Sequence, residues 1–139
     1  MFNPAVTIEM LNVKFNINMT KFLGIEYTEI GSNFISAKMP VDKRTQQPFG
    51  ILHGGASVVL AESLGSLASN IIVDQEKQYC VGLDINANHI KGMKEGFVYG
   101  KATAVHIGKR THIWQIEITN DKNELVCTSR LTIAVIDRK

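Results

Sequence analysis

Glu62 stands alone in a segment without other full charges. From Thr45 to Val73 it is the only side chain fully ionised at neutral pH. One helical turn away lie Val58, Val59, Gly65 and Ser66, so no cation is placed to pair with it. A carboxylate withdrawn from water is costly unless partners or a task hold it there. That isolation makes Glu62 a candidate for chemistry. The plainer alternative is a helix carboxylate that reaches solvent. Ser66 can bond the carboxylate or a water beside it, although helical serines also bond their own backbone.

A second group precedes it, His53-Gly54-Gly55. If a helix opens there, its first N–H groups lack intrahelical partners and its dipole favours negative charge. Glycine lets a substrate approach the backbone, so the junction can hold a carbonyl oxygen that gains charge during reaction. His53 and Gln47 are placed to orient such donors; an ordinary loop-to-helix junction would read the same way. Glu62 lies eight residues beyond Gly54, about 12 Å along a helix axis. One Glu side chain does not span that distance. If both serve one site, they come from two subunits whose helices pack antiparallel, and the site occurs twice per dimer.

Two basic turns form a third group. "HIKG" supplies His89, Ile90, Lys91 and Gly92, and "HIGKRT" supplies His106, Ile107, Gly108, Lys109, Arg110 and Thr111. They read either as solvated turn residues or as neighbouring turns that hold the phosphates of a large acyl carrier. The four histidines show no metal spacing, and there is no GxSxG elbow or P-loop. Neither a metal nor another cofactor is expected.

These residues need elements to position them. Short helical turns are predicted over 7–14 and 18–23, the second stopped by Gly24. Residues 25–41 read as two strands joined at Gly31-Ser32-Asn33. A helix from Gly54-Gly55 to about Val73 has small or apolar side chains on every face, so it is expected to be buried all round. Four strands follow at 78–89, 97–107, 112–119 and 125–136, with Gly96, Gly108 and "NDKN" marking the turns between them. In the third of these strands Trp114, Ile116 and Ile118 share one face. His112 reads as surface and Trp114 as core. The pattern predicts an α+β fold, an antiparallel sheet wrapped around one long central helix, with an exposed edge that favours pairing with a second subunit.

At 139 residues the chain is one domain, 1–139, large enough for a core of its own. A net charge of +2 gives no reason to expect nucleic acid or a membrane surface. Residues 50–73 are long enough for a membrane span, but a mid-span Glu62 argues against it. The N-terminus lacks the basic and apolar regions of a signal peptide. Cys80 and Cys127 form no CxxC pair and read as free thiols of a reducing, cytoplasmic compartment.

"QQPFGILHGGASVVLAES", "VGLDINANHIKG" and "TSRLTIAV" together resemble the hotdog-fold acyl-CoA thioesterases. The resemblance runs from about residue 19 to 135. It is strongest to the subgroup of 1,4-dihydroxy-2-naphthoyl-CoA hydrolase and the proofreading thioesterase of enterobactin synthesis. It implies hydrolysis of an aromatic acyl-CoA and a homotetramer built as a dimer of dimers. It further implies catalytic Glu62, with Gln47, His53 and Gly54 from the partner subunit and Ser66 near the lytic water. Coenzyme A contacts are implied at Gly82, 89–92 and 106–111; the Lys109-Arg110 pair departs from the usual loop. Two other readings share the features: a hydroxyacyl-carrier dehydratase of the same fold, whose Phe-Pro motif is missing, and a non-catalytic acyl-CoA-binding module, which would not need Glu62.

Overall fold

Alternating apolar residues become a single six-stranded antiparallel sheet. The computed structural model covers Met1–Lys139. Strands β1 (Glu26–Ile30) and β2 (Phe34–Pro40) form a hairpin over the predicted Gly31–Asn33 turn. β3 (Gln78–His89), β4 (Phe97–Ile107), β5 (Thr111–Thr119) and β6 (Leu125–Asp137) follow the central helix. The order across the sheet is β1-β2-β4-β5-β6-β3. The structure therefore corrects one expected turn. Gly96 does not join β3 to β4 as a hairpin, because β3 pairs with β6 at the sheet's far side. The segment between them is a crossover held by outside bonds. The Ile90 and Lys91 N–H groups donate to the Val126 carbonyl, and the Leu52 N–H donates to the Met93 carbonyl. β3 is left as an edge strand.

The N-terminal segment follows the predicted turns. α1 (Ile8–Met10), capped by the Thr7 hydroxyl, runs on as a wider turn over Leu11–Phe15. α2 (Asn18–Phe22) stops at Gly24, whose φ of +71° a side chain would resist. The central helix α3 (Gly54–Asn70) lies on the inner face of the sheet. Leu60, Ala61, Leu64 and Ala68 are fully buried in one core with Val98, Trp114, Ile116 and Leu131, and Trp114 Nε1–H donates to Ser69 Oγ at 2.8 Å. α3 ends short of the predicted Val73, with Ile71 as its cap.

Nor is α3 buried all round. Val58, Val59, Glu62, Ser63, Ser66 and Asn70 form a half-buried stripe along it. The sheet of one chain covers only one side of a helix that is apolar or small on every side. No helix is long and apolar enough to cross a membrane.

Two asparagines close sheet edges. Asn12 donates to the Tyr27 carbonyl (2.8 Å) and accepts from its N–H (2.9 Å), standing in for a neighbouring strand beside β1. Asn70 does the same for Cys80 of β3, donating to its carbonyl at 3.0 Å and accepting from its N–H at 2.9 Å. An amide side chain offers the same donor and acceptor as a peptide. Beyond Cys80 the edge of β3 stays open.

Candidate active site

The start of α3 presents one free backbone donor. Gln47 and Gly50 sit in a tight loop closed by the Gln47 N–H to the Ile51 carbonyl and the Gly50 N–H to the Gln47 carbonyl, both 2.9 Å. Gln47 Oε1 accepts the Phe49 N–H, which leaves both Nε2 hydrogens free to donate. His53 caps the helix: its Nδ1 accepts from the Gly55 N–H at 2.8 Å. The His53 carbonyl accepts from Ala56 N–H at 2.9 Å and, at 3.4 Å, from Ser57 N–H. Of the four leading N–H groups, only that of Gly54 has no partner.

His89 closes over that glycine. A Cβ on Gly54 would lie 2.7 Å from His89 Nε2, so a side chain here would have to push that exposed ring aside. A cavity of about 310 Å³ opens here, lined by Gln47, Gly54, Ser57, His89, Lys91 and Gly92. Ile90 lines it as well. The predicted groups Gln47, Gly54 and 89–92 thus come together within one chain. His53 faces a neighbouring hollow with Arg44, Thr45 and Val59.

Glu62 is elsewhere, as the helix rise requires. It is half-buried on the open stripe of α3 and takes part in none of the chain's ion pairs. Its Oε1 occupies the space where a Cβ on Gly82 would be. Gly82, expected beside coenzyme A, therefore sits where it makes room for the carboxylate. Ser66 lines a separate cavity of about 340 Å³ with Tyr27, Ser63 and Asn70.

The basic turns are not neighbours within the chain, contrary to expectation. Lys91 lies by the start of β6 and Arg110 by its end, since the Val135 N–H donates to the Arg110 carbonyl. The stretch of that strand from Val126 to Val135 separates them by roughly 30 Å. Lys91 is paired with Glu124 at 3.0 Å and Arg110 with Asp137 at 2.9 Å. Gly108, Lys109 and Arg110 border a cavity of about 420 Å³ that His112 also lines. His106 packs back on Gly108, Ile107 borders the same cavity and Thr111 opens β5. His112, read as surface, is only 2% exposed, because it shares the inward parity of Trp114. The two thiols are poor nucleophiles: burial raises the Cys80 pKa to about 11 and also raises that of Cys127. No three His, Cys, Asp or Glu side chains gather as metal ligands.

Residues 49–127 match the family description "Thioesterase superfamily". The chain belongs to the thioesterase superfamily. This thioesterase is 51% identical over 131 residues to the 1,4-dihydroxy-2-naphthoyl-CoA hydrolase of Escherichia coli K12, covering 94% of this chain and 96% of that one. It is 43% identical to a proofreading thioesterase of Cronobacter turicensis, covering 94% and 95%. A solved thioesterase of Haemophilus influenzae superposes with a TM-score of 0.92 at 46% identity, covering 98% of this chain and 94% of that one. The hotdog architecture and the hydrolase class expected from the sequence both hold.

Sequence reading missed several residues of the thioesterase. Ser57, buried at 1% exposure, lines the Gly54 cavity; its place one turn after Gly54 was the available signal. Asn12 and Asn70 gave none, because an asparagine that closes an edge looks like any turn or cap residue.

Proposed function

We propose that this thioesterase hydrolyses acyl-CoA thioesters with an aromatic acyl group, at sites shared between two copies of the chain. The reading rests on the unpartnered Gly54 N–H, set in one cavity with the free Gln47 amide. The aromatic acyl group follows the Escherichia coli relative, whose name specifies a dihydroxynaphthoyl thioester.

The open edge of β3 supplies the geometry for sharing. Asn70 bonds both backbone groups of Cys80, so these point away from β6. Alternation turns the groups of Gly82 to the same side. Beyond the irregularity between Gly82 and Asp84 it turns those of Ile85, Ala87 and His89 there as well. Two β3 edges pairing antiparallel about Asn86 set Gly82 of one copy opposite His89 of the other. Glu62, which lies on Gly82, then faces Gly54, which lies under His89. The same pairing carries the 108–110 loop of one copy toward the Lys91 end of the other. Catalytic and carrier-binding groups are split in the same sense. Val13, Ile17, Met19 and Phe22 are 75%, 53%, 62% and 69% exposed, leaving apolar surface for two such dimers to associate.

The thioester carbonyl oxygen accepts from the Gly54 N–H and the Gln47 amide, and the helix dipole favours the charge that grows there. His53 holds the helix start in place. Glu62 of the other copy delivers the attack, as nucleophile or as base on a water. In sum, a C–O bond forms, the C–S bond breaks, and water's proton ends on the departing sulfur. Every role falls to the chain's own groups.

Glu62→Ala is expected to fold and to lose on the order of 10²-fold or more in kcat, as for a lost base or nucleophile. The assay uses aromatic and aliphatic acyl-CoAs with a thiol reagent. Near-normal turnover by a folded variant overturns the assignment, and a preference for aliphatic acyl groups overturns the substrate class.

A further inference from the structure

Two of the three cations on the predicted carrier turns, Lys91 and Arg110, are already held by carboxylates; Lys109 is in no ion pair. Arg110 Nη1 bonds Asp137 Oδ2 at 2.9 Å, and Lys91 Nζ bonds Glu124 Oε1 at 3.0 Å. Each carboxylate is fixed in turn by an amide: Gln78 Nε2–H donates to Asp137 Oδ1 at 2.9 Å, and Asn120 Nδ2–H donates to Glu124 Oε2 at 2.6 Å. These amide bonds, with the adjacent cations, hold both carboxyls below the usual carboxylate range, so both are ionised at neutral pH. The two constellations sit at opposite ends of β6. The pairing proposed above brings one from each copy to the same site mouth. All four side chains are about half exposed or more, so an arriving phosphate can reach them.

We infer that Asp137 and Glu124 are affinity-setting residues that compete with the phosphates of the substrate's nucleotide for Arg110 and Lys91. The inference rests on the acyl-CoA reading. A phosphate that docks on Arg110 meets a carboxylate already within hydrogen-bond distance of the same guanidinium. It must share the cation, or displace Asp137 onto Gln78 alone. Either course weakens binding of the intact thioester and of released coenzyme A alike. The competition acts before and during reaction, so it bears on KM and product inhibition rather than on the chemical step.

The test compares an acyl-CoA with the N-acetylcysteamine thioester of the same acid, which lacks the nucleotide. An exposed ion pair is worth up to about 1 kcal/mol, about fivefold in an equilibrium constant. Asp137→Asn keeps the shape of the side chain and its contact with Gln78. It is expected to lower KM for acyl-CoA, and the inhibition constant of free coenzyme A, by about two- to fivefold. Glu124→Gln should do the same, and the two together should multiply. The short thioester should not respond. An unchanged or raised KM for acyl-CoA in both variants overturns the inference, because the carboxylates then position the cations rather than compete for them. Arg110→Gln separates this from failure of the carrier reading. If that change leaves the ratio of the two substrates' kcat/KM constant, the nucleotide binds elsewhere and the acyl-CoA reading of this loop fails. If it shifts the ratio while Asp137→Asn and Glu124→Gln do not, only the competition fails.

Discussion

Single groups in this protein are legible by whether they have partners. The Gly54 N–H and the Glu62 carboxylate are unpartnered and open to a substrate; one ring nitrogen of His112 is unpartnered and shut away. Its Nδ1 has no hydrogen-bond partner, and the residue is 2% exposed. Burial pushes its pKa below the ordinary histidine value; a backbone bond at Gly108 opposes this in part, and the nearby His106 adds to it. The sign of the stability effect follows. The unfolded chain titrates near 6.5. As pH falls below that value the unfolded state gains a proton that the folded state refuses, so stability is lost toward acid. The carboxylates with lowered pKa, Asp42, Asp74, Glu124 and Asp137, lose their contributions only at lower pH, in the carboxylate range. Melting temperature should therefore decline between about pH 6.5 and 5, and His112→Gln should flatten that decline. Parallel melting curves for the two proteins over this range would show that His112 does not carry it.

Elements were more legible than their neighbours. Alternation and turn residues located all six strands and the central helix to within a few residues, because side-chain period is a local property. Which strands lie side by side is not local. Gly96 has the look of a hairpin turn, yet the chain around it bonds Val41, Leu52 and Val126, residues distant in sequence. The same blindness grouped Lys91 with Lys109 and Arg110. They do share a sign, but β6 holds them apart. Half the candidate site was visible as an isolated charge and a glycine pair, and the cavity wall at Ser57 was not. The edge-closing amides are the clearest case of structure hidden in ordinary residues, and they are testable. In Asn70→Leu the N–H and carbonyl of Cys80 lose both partners at a partly buried edge. The expected loss is about 1–3 kcal/mol in denaturant unfolding. Unfolding at the wild-type midpoint would mean that water replaces the amide without cost.

The whole molecule is where the halves of the site either meet or do not. Asn86 marks the proposed axis, and its side chain points to the outer face, in register with Arg130. Facing residues in a pair of this kind have Cα atoms about 4.5 Å apart, within disulfide range. Asn86→Cys should therefore join two copies covalently on mild oxidation, seen as a dimer on a non-reducing gel. Native Cys80 and Cys127 are buried and do not compete. Activity then reports whether the joined copies share sites. Gln47→Ala removes one oxyanion donor, at a cost of about 10²–10³ in kcat, and Glu62→Ala removes the attacking group. Mixed copies place both defects in one site and neither in the other. After complete exchange of equal amounts, half of the dimers are hybrid and about a quarter of all sites are intact. Recovery near that fraction, from two preparations each nearly inactive, requires Glu62 to act across the dimer. If the disulfide forms at Asn86 and hybrids still recover nothing, the copies pair as described but each chain completes its own site. The 12 Å of helix between Gly54 and Glu62 would then have to be bridged by a movement of α3 rather than by a second copy.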